Sequence, residues 1–191
     1  MNKKLWYLLI FVLGILGCSL TDRFNSSTDE ITPPTIQPNQ EAADRAQANF
    51  FQAIAESVGT EKFVYRISDE EVTSLIVIEI LNKRADIPLS NVVIWFRPEQ
   101  IHVTGNISGM SSTNIPFQIA AKPRVDKAGQ LTFEVVSAKA GPFDFPDAVM
   151  TTITETLNET INNQKYDIRF ESVEALEGEL IVHGLQIESK K

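Results

Sequence analysis

The chain has 191 residues, 43% of them hydrophobic, and carries 17 basic against 25 acidic side chains for a net charge of −8. That balance excludes a nucleic-acid binder held by phosphate contacts and argues against docking on an anionic bilayer through a polybasic patch. A single cysteine excludes a disulfide framework and any thiolate metal cluster.

The chain opens MNKKLWYLLIFVLGILGC. Lys3 and Lys4 supply a positive start, and the apolar run over 5–15 is interrupted only by Gly14. A bilayer core needs roughly 20 apolar residues, so this run is too short to span one and has the length of a secretory h-region. It ends in Ile15-Leu16-Gly17-Cys18, which resembles a bacterial lipobox, with Leu16 bulkier than is usual there. The expectation is a lipoprotein signal peptide over 1–17 and acyl chains, diacylglycerol and palmitate in kind, on Cys18. The plainer alternative is an ordinary signal peptide or short core segment in which Cys18 is incidental. Acyl chains contribute about 0.8 kcal/mol per buried methylene, and two anchor stably where one does not. Cleavage removes Lys3 and Lys4 and moves the net charge from −8 to −10.

Residues 18–40 are expected to be the acylated cysteine and a disordered tether. The stretch SLTDRFNSSTDEITPPTIQPNQ has too few large apolar residues to order itself. As a flexible coil its 22 residues reach on the order of 25 Å. Residues 41–191 are then a single α+β domain.

In EAADRAQANFFQAIAESVG, Ala43, Ala46, Phe50, Ile54 and Val58 recur at spacings of three and four, which predicts an amphipathic helix closed by Gly59. FVYRI (63–67) predicts a short strand. Ser68-Asp69-Glu70-Glu71 has the form of a capping box ahead of VTSLIVIEILNK, expected to be a helix apolar on nearly all sides and therefore buried.

After Pro88 the period drops to two. NVVIWF, QIHVTGNIS, IPFQIAAKPRV and LTFEVVSAKA predict consecutive antiparallel strands, with turns at Pro98-Glu99 and Lys127-Ala128-Gly129. Ile101, Val103 and Ile107 share one face, as do Ile115, Phe117 and Ile119, and Leu131, Phe133 and Val135. His102, Thr104, Asn106 and Ser108 share the other. A meander apolar on one side must lay that side on something. In GPFDFPDAVMTTITETLNETINN, Phe145, Val149, Ile153, Leu157 and Ile161 recur every fourth residue, which predicts a covering helix entered through Asp144 and Pro146. Its polar side carries Thr151, Thr154, Glu155, Asn158 and Glu159. YDIRFESV and ELIVHGLQI predict two last strands around the turn Glu177-Gly178.

No catalytic constellation stands out, and neither an enzyme nor a cofactor is expected. His102 and His183 have no metal-ligand spacing and are expected at the surface or a groove edge. Gly105-Asn106-Ile107-Ser108-Gly109 has its serine one place late for a nucleophile elbow and reads as a loop. Asp69-Glu70-Glu71 suits a helix start without any catalytic role.

ISDEEVTSLI, the strand pair around IHVTGNI, and IAAKPRVDKAGQLTFEVVSAKAGPFDFPDAVMTTITETLN together resemble small exported or membrane-anchored bacterial proteins, the LmeA-like phospholipid-binding proteins and the YpmS-like proteins. The shared features are an acidic helix start, Pro123 ahead of the turn from Asp126 to Gly129, and the segment from Gly141 to Pro146 leading into the last long helix. The likeness covers roughly residues 63–187; the first helix is extra, and a second transmembrane anchor is lacking. It implies a strongly curved antiparallel sheet of about five to seven strands wrapped on long helices, a half-barrel of the tubular lipid-binding type. Eleven phenylalanines, with Phe117, Phe133, Phe143 and Phe145 clustered, then line either a groove or an ordinary core.

Two functions remain open. One is an extracytoplasmic lipoprotein, anchored in the membrane through Cys18, that binds a lipid or other apolar ligand. Its lining is expected from Ile101, Val103, Phe117, Ile119, Phe133 and Val135 of the sheet, and from Leu75, Ile76, Val149, Ile153 and Leu157 of the helices. The other is a non-catalytic cell-envelope scaffold or protein-interaction module with a filled core, its protein partner unknown.

Overall fold

The first helix starts where Asn39, in extended backbone, accepts the Ala42 N–H on its side chain at 2.9 Å, one of the donors that a helix start leaves unpaired. In the computed structural model, which describes residues 32–83, 87–108, 114–162 and 167–187, this helix, α1, spans Gln40–Thr60. It passes through Gly59 and ends instead at Glu61, whose φ of 59° puts it in the left-handed region and whose N–H donates to the Ser57 carbonyl at 2.7 Å. Ala46 and Ala53 are buried and Phe50 and Ile54 pack beside them. Val58 does not join them: it is 67% exposed, because the 3.6-residue repeat has carried it off the inner face. The expected run 5–15, Cys18 and the tether as far as residue 31 lie outside the described residues.

β1 (Lys62–Ser68) leads into the expected capping box. Ser68 accepts the Glu71 N–H, and the Glu71 carboxylate takes the Ser68 N–H at 3.0 Å. The helix behind it is not the uniformly buried rod that the composition predicts. α2 covers Asp69–Ser74, then the turn widens into a π-helix, π1, over Leu75–Leu81, none of whose residues is fully buried. Ile76, Val77, Ile78 and Ile80 are β-branched and crowd an α turn. Asn39 and Arg45 join α1 to α2 through Glu70, at 2.9 and 3.1 Å.

The strands that follow are β2 (Leu89–Arg97), β3 (Gln100–Ile107), β4 (Ile115–Val125), β5 (Leu131–Ala140), β6 (Phe143–Asp144), β7 (Ile168–Leu176) and β8 (Glu179–Gln186), with helix α3 at Asp147–Asn162 before β7. The α+β class holds, but the strands form two antiparallel sheets rather than one. One is three-stranded, in the order β1-β8-β7; the other is five-stranded, in the order β2-β3-β4-β5-β6. Neither closes into a barrel, and the helices are short. Gly105, Asn106 and Ile107, expected in a loop, continue β3. Phe143 and Asp144, expected at a helix start, pair with Ala140 and Lys139, and α3 begins only after Pro146, whose carbonyl accepts from Val149 and Met150.

The three-stranded sheet meets the hairpin ends of the five-stranded one. Glu99 N–H donates to the Ala175 carbonyl at 2.9 Å, Gly178 N–H to Phe96 at 3.2 Å and Phe170 N–H to Gly129 at 2.9 Å; Arg97 pairs with Glu177. Gly129, at φ +78°, is required there, since a Cβ would lie 2.5 Å from Arg169 Cγ. The main core joins Phe63, Ile67, Leu180, Val182 and Ala175 of one sheet to Phe96 and Ile101 of the other, with α1 over them.

Side chains of helices close the β2 edge of the five-stranded sheet and the stretch of β5 that the two-residue β6 leaves uncovered. On β2, Thr73 Oγ1 accepts the Ile94 N–H at 2.9 Å and donates to the Ile94 carbonyl at 2.8 Å, while Asp69 accepts the Phe96 N–H at 2.8 Å. On β5, Asn158 accepts the Phe133 N–H at 2.7 Å and donates to its carbonyl at 3.0 Å, and Thr154 accepts the Val135 N–H at 3.1 Å. Thr73→Val keeps the shape but strands two backbone groups, and is expected to cost about 1–3 kcal/mol in urea unfolding. Asn158→Leu is expected to cost a similar amount, whereas Thr151→Val on the exposed side of α3 stays within about 0.5 kcal/mol.

Candidate functional site

Register decides which side chains of the five-stranded sheet lie together. Ile101 pairs with Ala121, Val103 with Ile119, Gly105 with Phe117 and Ile107 with Ile115; Ile119 then pairs with Ala138, and Ala121 with Val135. Successive strand residues alternate faces, so these side chains, with Ile94, Phe96 and Phe133, form one continuous apolar face. A register shift between Ala120 and Ala121 keeps Val135 on it and leaves Val136 38% exposed. Gly105 makes room for the Phe117 ring, since a Cβ there would lie 2.8 Å from Phe117 Cε1.

The helices lean on this face from opposite edges. Val72 and Leu75 pack into the cluster that holds Phe96 and Ile101. Phe145, Met150 and Ile153 pack on Ala121, Val135 and Ala138. The three-stranded sheet covers the hairpin end, at Phe96, Ile101 and Phe133. Val103, Ile107 and Ile115 belong to neither packed cluster of the described residues and are only half-buried. They form the half-buried floor of the sheet face between α2, bonded to the β2 edge, and α3, bonded to the β5 edge.

The eleven expected lining residues fall into three groups. Ile101 and Val135 are core, and Leu75, Ile119, Phe133 and Ile153 pack against it. Val103 lies on the half-buried floor, whereas Phe117 beside it is buried, at 8% exposure. Ile76 and Leu157 are half-buried, and Val149 is 40% exposed. Val149 lies about 140° round the helix from Thr154, so turning the polar pair to the β5 edge turns Val149 away from it. Ile107 and Ile115 belong to the same floor. The period-two alternation that singled out Val103 and Phe117 marks them as well. Phe143, at 72% exposure, is no part of a core.

The opposite face overturns one expectation. His102 is 1% exposed, not a surface residue, and stacks on its cross-strand partner Trp95 at 5.3 Å and 18°. His102 Nδ1 and Trp95 Nε1 have no hydrogen-bond partner among the described residues. Burial, and then the Arg97 guanidinium, push the His102 pKa below its ordinary 6.5. At the α2 edge, burial raises the Asp69 carboxyl even though the Phe96 N–H and Arg97 oppose the shift. Tyr65, whose hydroxyl donates to the Ala46 carbonyl at 3.1 Å, is pushed up to about 12 by burial and by the Glu71 charge. Among the described residues no hydrogen bond joins any of these side chains to a serine, threonine or cysteine side chain. Among the described residues no cluster of three His, Cys, Asp or Glu side chains is placed to hold a metal, and no helix is long and apolar enough to cross a membrane.

The lowered His102 pKa fixes the sign of a pH effect. Above about 6.5 both folded and unfolded chains carry neutral His102. As pH falls below that, the unfolded chain takes the proton first, so stability declines until the folded pKa is passed. Urea unfolding between pH 7.5 and 5 is expected to show this decline, and His102→Phe, which keeps a ring on Trp95, is expected to flatten it.

No family model, no curated protein and no solved structure matches this chain.

Proposed function

We propose that this chain is a lipoprotein anchored through Cys18 on the extracytoplasmic side of a cell membrane, and that it binds a lipid or other apolar molecule in a trough between these helices, with the half-buried sheet face as its floor. In this reading the trough serves as the open side of a half-barrel of the tubular lipid-binding type. The observation that carries it is the sheet face itself: helices lean on both margins, yet Val103, Ile107 and Ile115 between them stay half-buried. Ligand sites are concave and mostly apolar, with few polar groups, and this floor offers no charged side chain. The short hydrophobic leader and its terminal cysteine support the anchor. A tether reaching on the order of 25 Å keeps the domain close to a membrane source of such ligands.

A second reading has its own support. Phe145, Met150 and Ile153 already meet Ala121, Val135 and Ala138 directly, so the α3 margin is filled by the protein itself, as in a scaffold whose partner is another protein.

Binding of cis-parinaric acid to the purified full chain separates the two. Saturable fluorescence enhancement is expected, and Val103→Glu, a charge on the floor, is expected to weaken it at least about tenfold. Val64→Glu, on the exposed side of β1, leaves it unchanged. Absence of binding, together with native mass spectra free of copurified lipid, favours the scaffold. Metabolic labelling with palmitate tests the anchor: the label is expected on the wild-type chain and lost in Cys18→Ser.

A further inference from the structure

We propose that two copies of this chain pair edge to edge through β1, joining their three-stranded sheets into one continuous antiparallel sheet. The sheet edges along β2, β5 and β7 are each bonded by helix side chains or by hairpin turns. β1, the other outer strand of the three-stranded sheet, is left open. Lys62 donates its N–H to Thr60 Oγ1 at 3.3 Å and Ser68 donates its own to the Glu71 carboxylate at 3.0 Å, so both turn away from β8. Val64 and Arg66, at the two-residue repeat between them, turn the same way. Their N–H and C=O groups have no hydrogen-bond partner among the described residues. Val64 is 44% exposed. α1 packs on the other side of the strand, where Tyr65 bonds Ala46 and Phe63 meets Phe50.

These free groups are complementary to themselves, which selects a second copy as the partner. About a two-fold axis beside Tyr65, Val64 lies opposite Arg66 of the other copy and Arg66 opposite its Val64, an isologous contact. Each such pair exchanges two N–H···O=C bonds, so every free group of Val64 and Arg66 is satisfied in both copies. Lys62 then lies opposite Ser68 of the other copy. Neither loses a bond there, because the N–H of each is already engaged within its own chain. A foreign strand would meet the same blocked ends with free groups of its own. The side chains agree with this register. Lys62, Val64, Arg66 and Ser68 share the solvent face with Glu179, the cross-strand partner of Ser68 on β8. The exposed Lys62 therefore lies in one row with Ser68 and Glu179 of the other copy, its opposite in charge. Arg66, tied to Glu179 of its own chain at 3.3 Å, lays its stem along Val64 of the other copy. Sliding the pairing by one bonded step sets Arg66 opposite Lys62 in one direction and opposite its own counterpart in the other, and like charges directly opposite are destabilising. One short strand per copy buries far less than the ~800 Å² per partner of a standard interface, so the dimer is a weak one, with a Kd on the order of 100 µM.

Cysteine cross-linking tests both pairing and register. The full chain carrying Cys18→Ser, in detergent micelles at about 100 µM, is given either Val64→Cys or Arg66→Cys, and circular dichroism checks that each variant is folded. On oxidation, a mixture of the two is expected to form disulfide dimers about tenfold faster than either alone. In this register residue 64 lies about 5.5 Å from residue 66 of the other copy, Cα to Cα, well placed for a disulfide. Like positions lie on the diagonal, about 7–8 Å apart, at or past the limit of one. Equal rates for mixed and single chains, or faster reaction of like positions, overturns the proposal. Val64→Pro removes an edge N–H that takes no part in the bonding to β8, a place where an edge strand tolerates proline. Sedimentation of the Cys18→Ser chain is expected to show a dimer fraction at least about fivefold lower with Val64→Pro than without it. A folded Val64→Pro chain that dimerises like its parent overturns the proposal, as does a parent chain that stays monomeric up to about 1 mM. Should the proline variant not fold, the cysteine mixture decides alone.

Discussion

The arrangement of this domain depends on how the two edges of its five-stranded sheet are closed. An open edge exposes a row of unpaired N–H and C=O groups that another chain can adopt. Here each edge is met by a helix running antiparallel to it that presents two polar side chains four residues apart. Thr73 on one side and Asn158 on the other each satisfy both backbone groups of one strand residue. Asp69 and Thr154 each accept the N–H two residues further along. β2 and β5 run in opposite directions, so the two edges are alike under a half-turn about the sheet normal. In both helices the residue before the threonine, Val72 or Ile153, packs on the apolar side of the sheet.

A helix held in this way cannot also lie across the middle of the sheet. Its polar pair must stay level with the edge strand, while the neighbouring apolar residues, roughly 60–100° round the helix, reach only the nearest strands. That is why α3 packs on Val135, Ala138 and Ala121 and leaves Val103, Ile107 and Ile115 half-buried. The three-stranded sheet does the remaining covering, but only at the hairpin ends, where backbone hydrogen bonds at Ala175, Phe96 and Gly129 hold it.

Much of this was legible in the sequence because alternation is a local property. The period-two pattern assigned Ile101, Val103, Phe117, Ile119, Phe133 and Val135 to one face, and register placed all six there. The Ser68 cap and the turns at Pro98, Gly129 and Gly178 follow from chemistry within a few residues. What periodicity does not carry is the identity of the neighbour. Thr154 and Asn158 look like the solvent side of an amphipathic helix, and they are polar because they bond a strand edge. His102 alternates with apolar residues and so reads as exposed, although its face is buried at Trp95. The division into two sheets is a long-range fact, set where β8 pairs with β1 across more than a hundred residues.

Val58 shows how a misplaced residue can be informative. A seven-residue pattern and a 3.6-residue helix drift apart by ~20° per heptad, so over its 21 residues α1 cannot keep one straight column of side chains against a flat neighbour. The inner column passes from Ala46 through Phe50 and Ile54 to Ser57, which bonds Gln186 at 3.3 Å. Val58 is displaced outward, where it lines up with Ala55, Phe51 and Ala48. Exposed helix positions accept Val or Phe at little cost to the fold, and single apolar side chains are ordinary on a folded surface, so the drift carries Val58 outward without loss to the core.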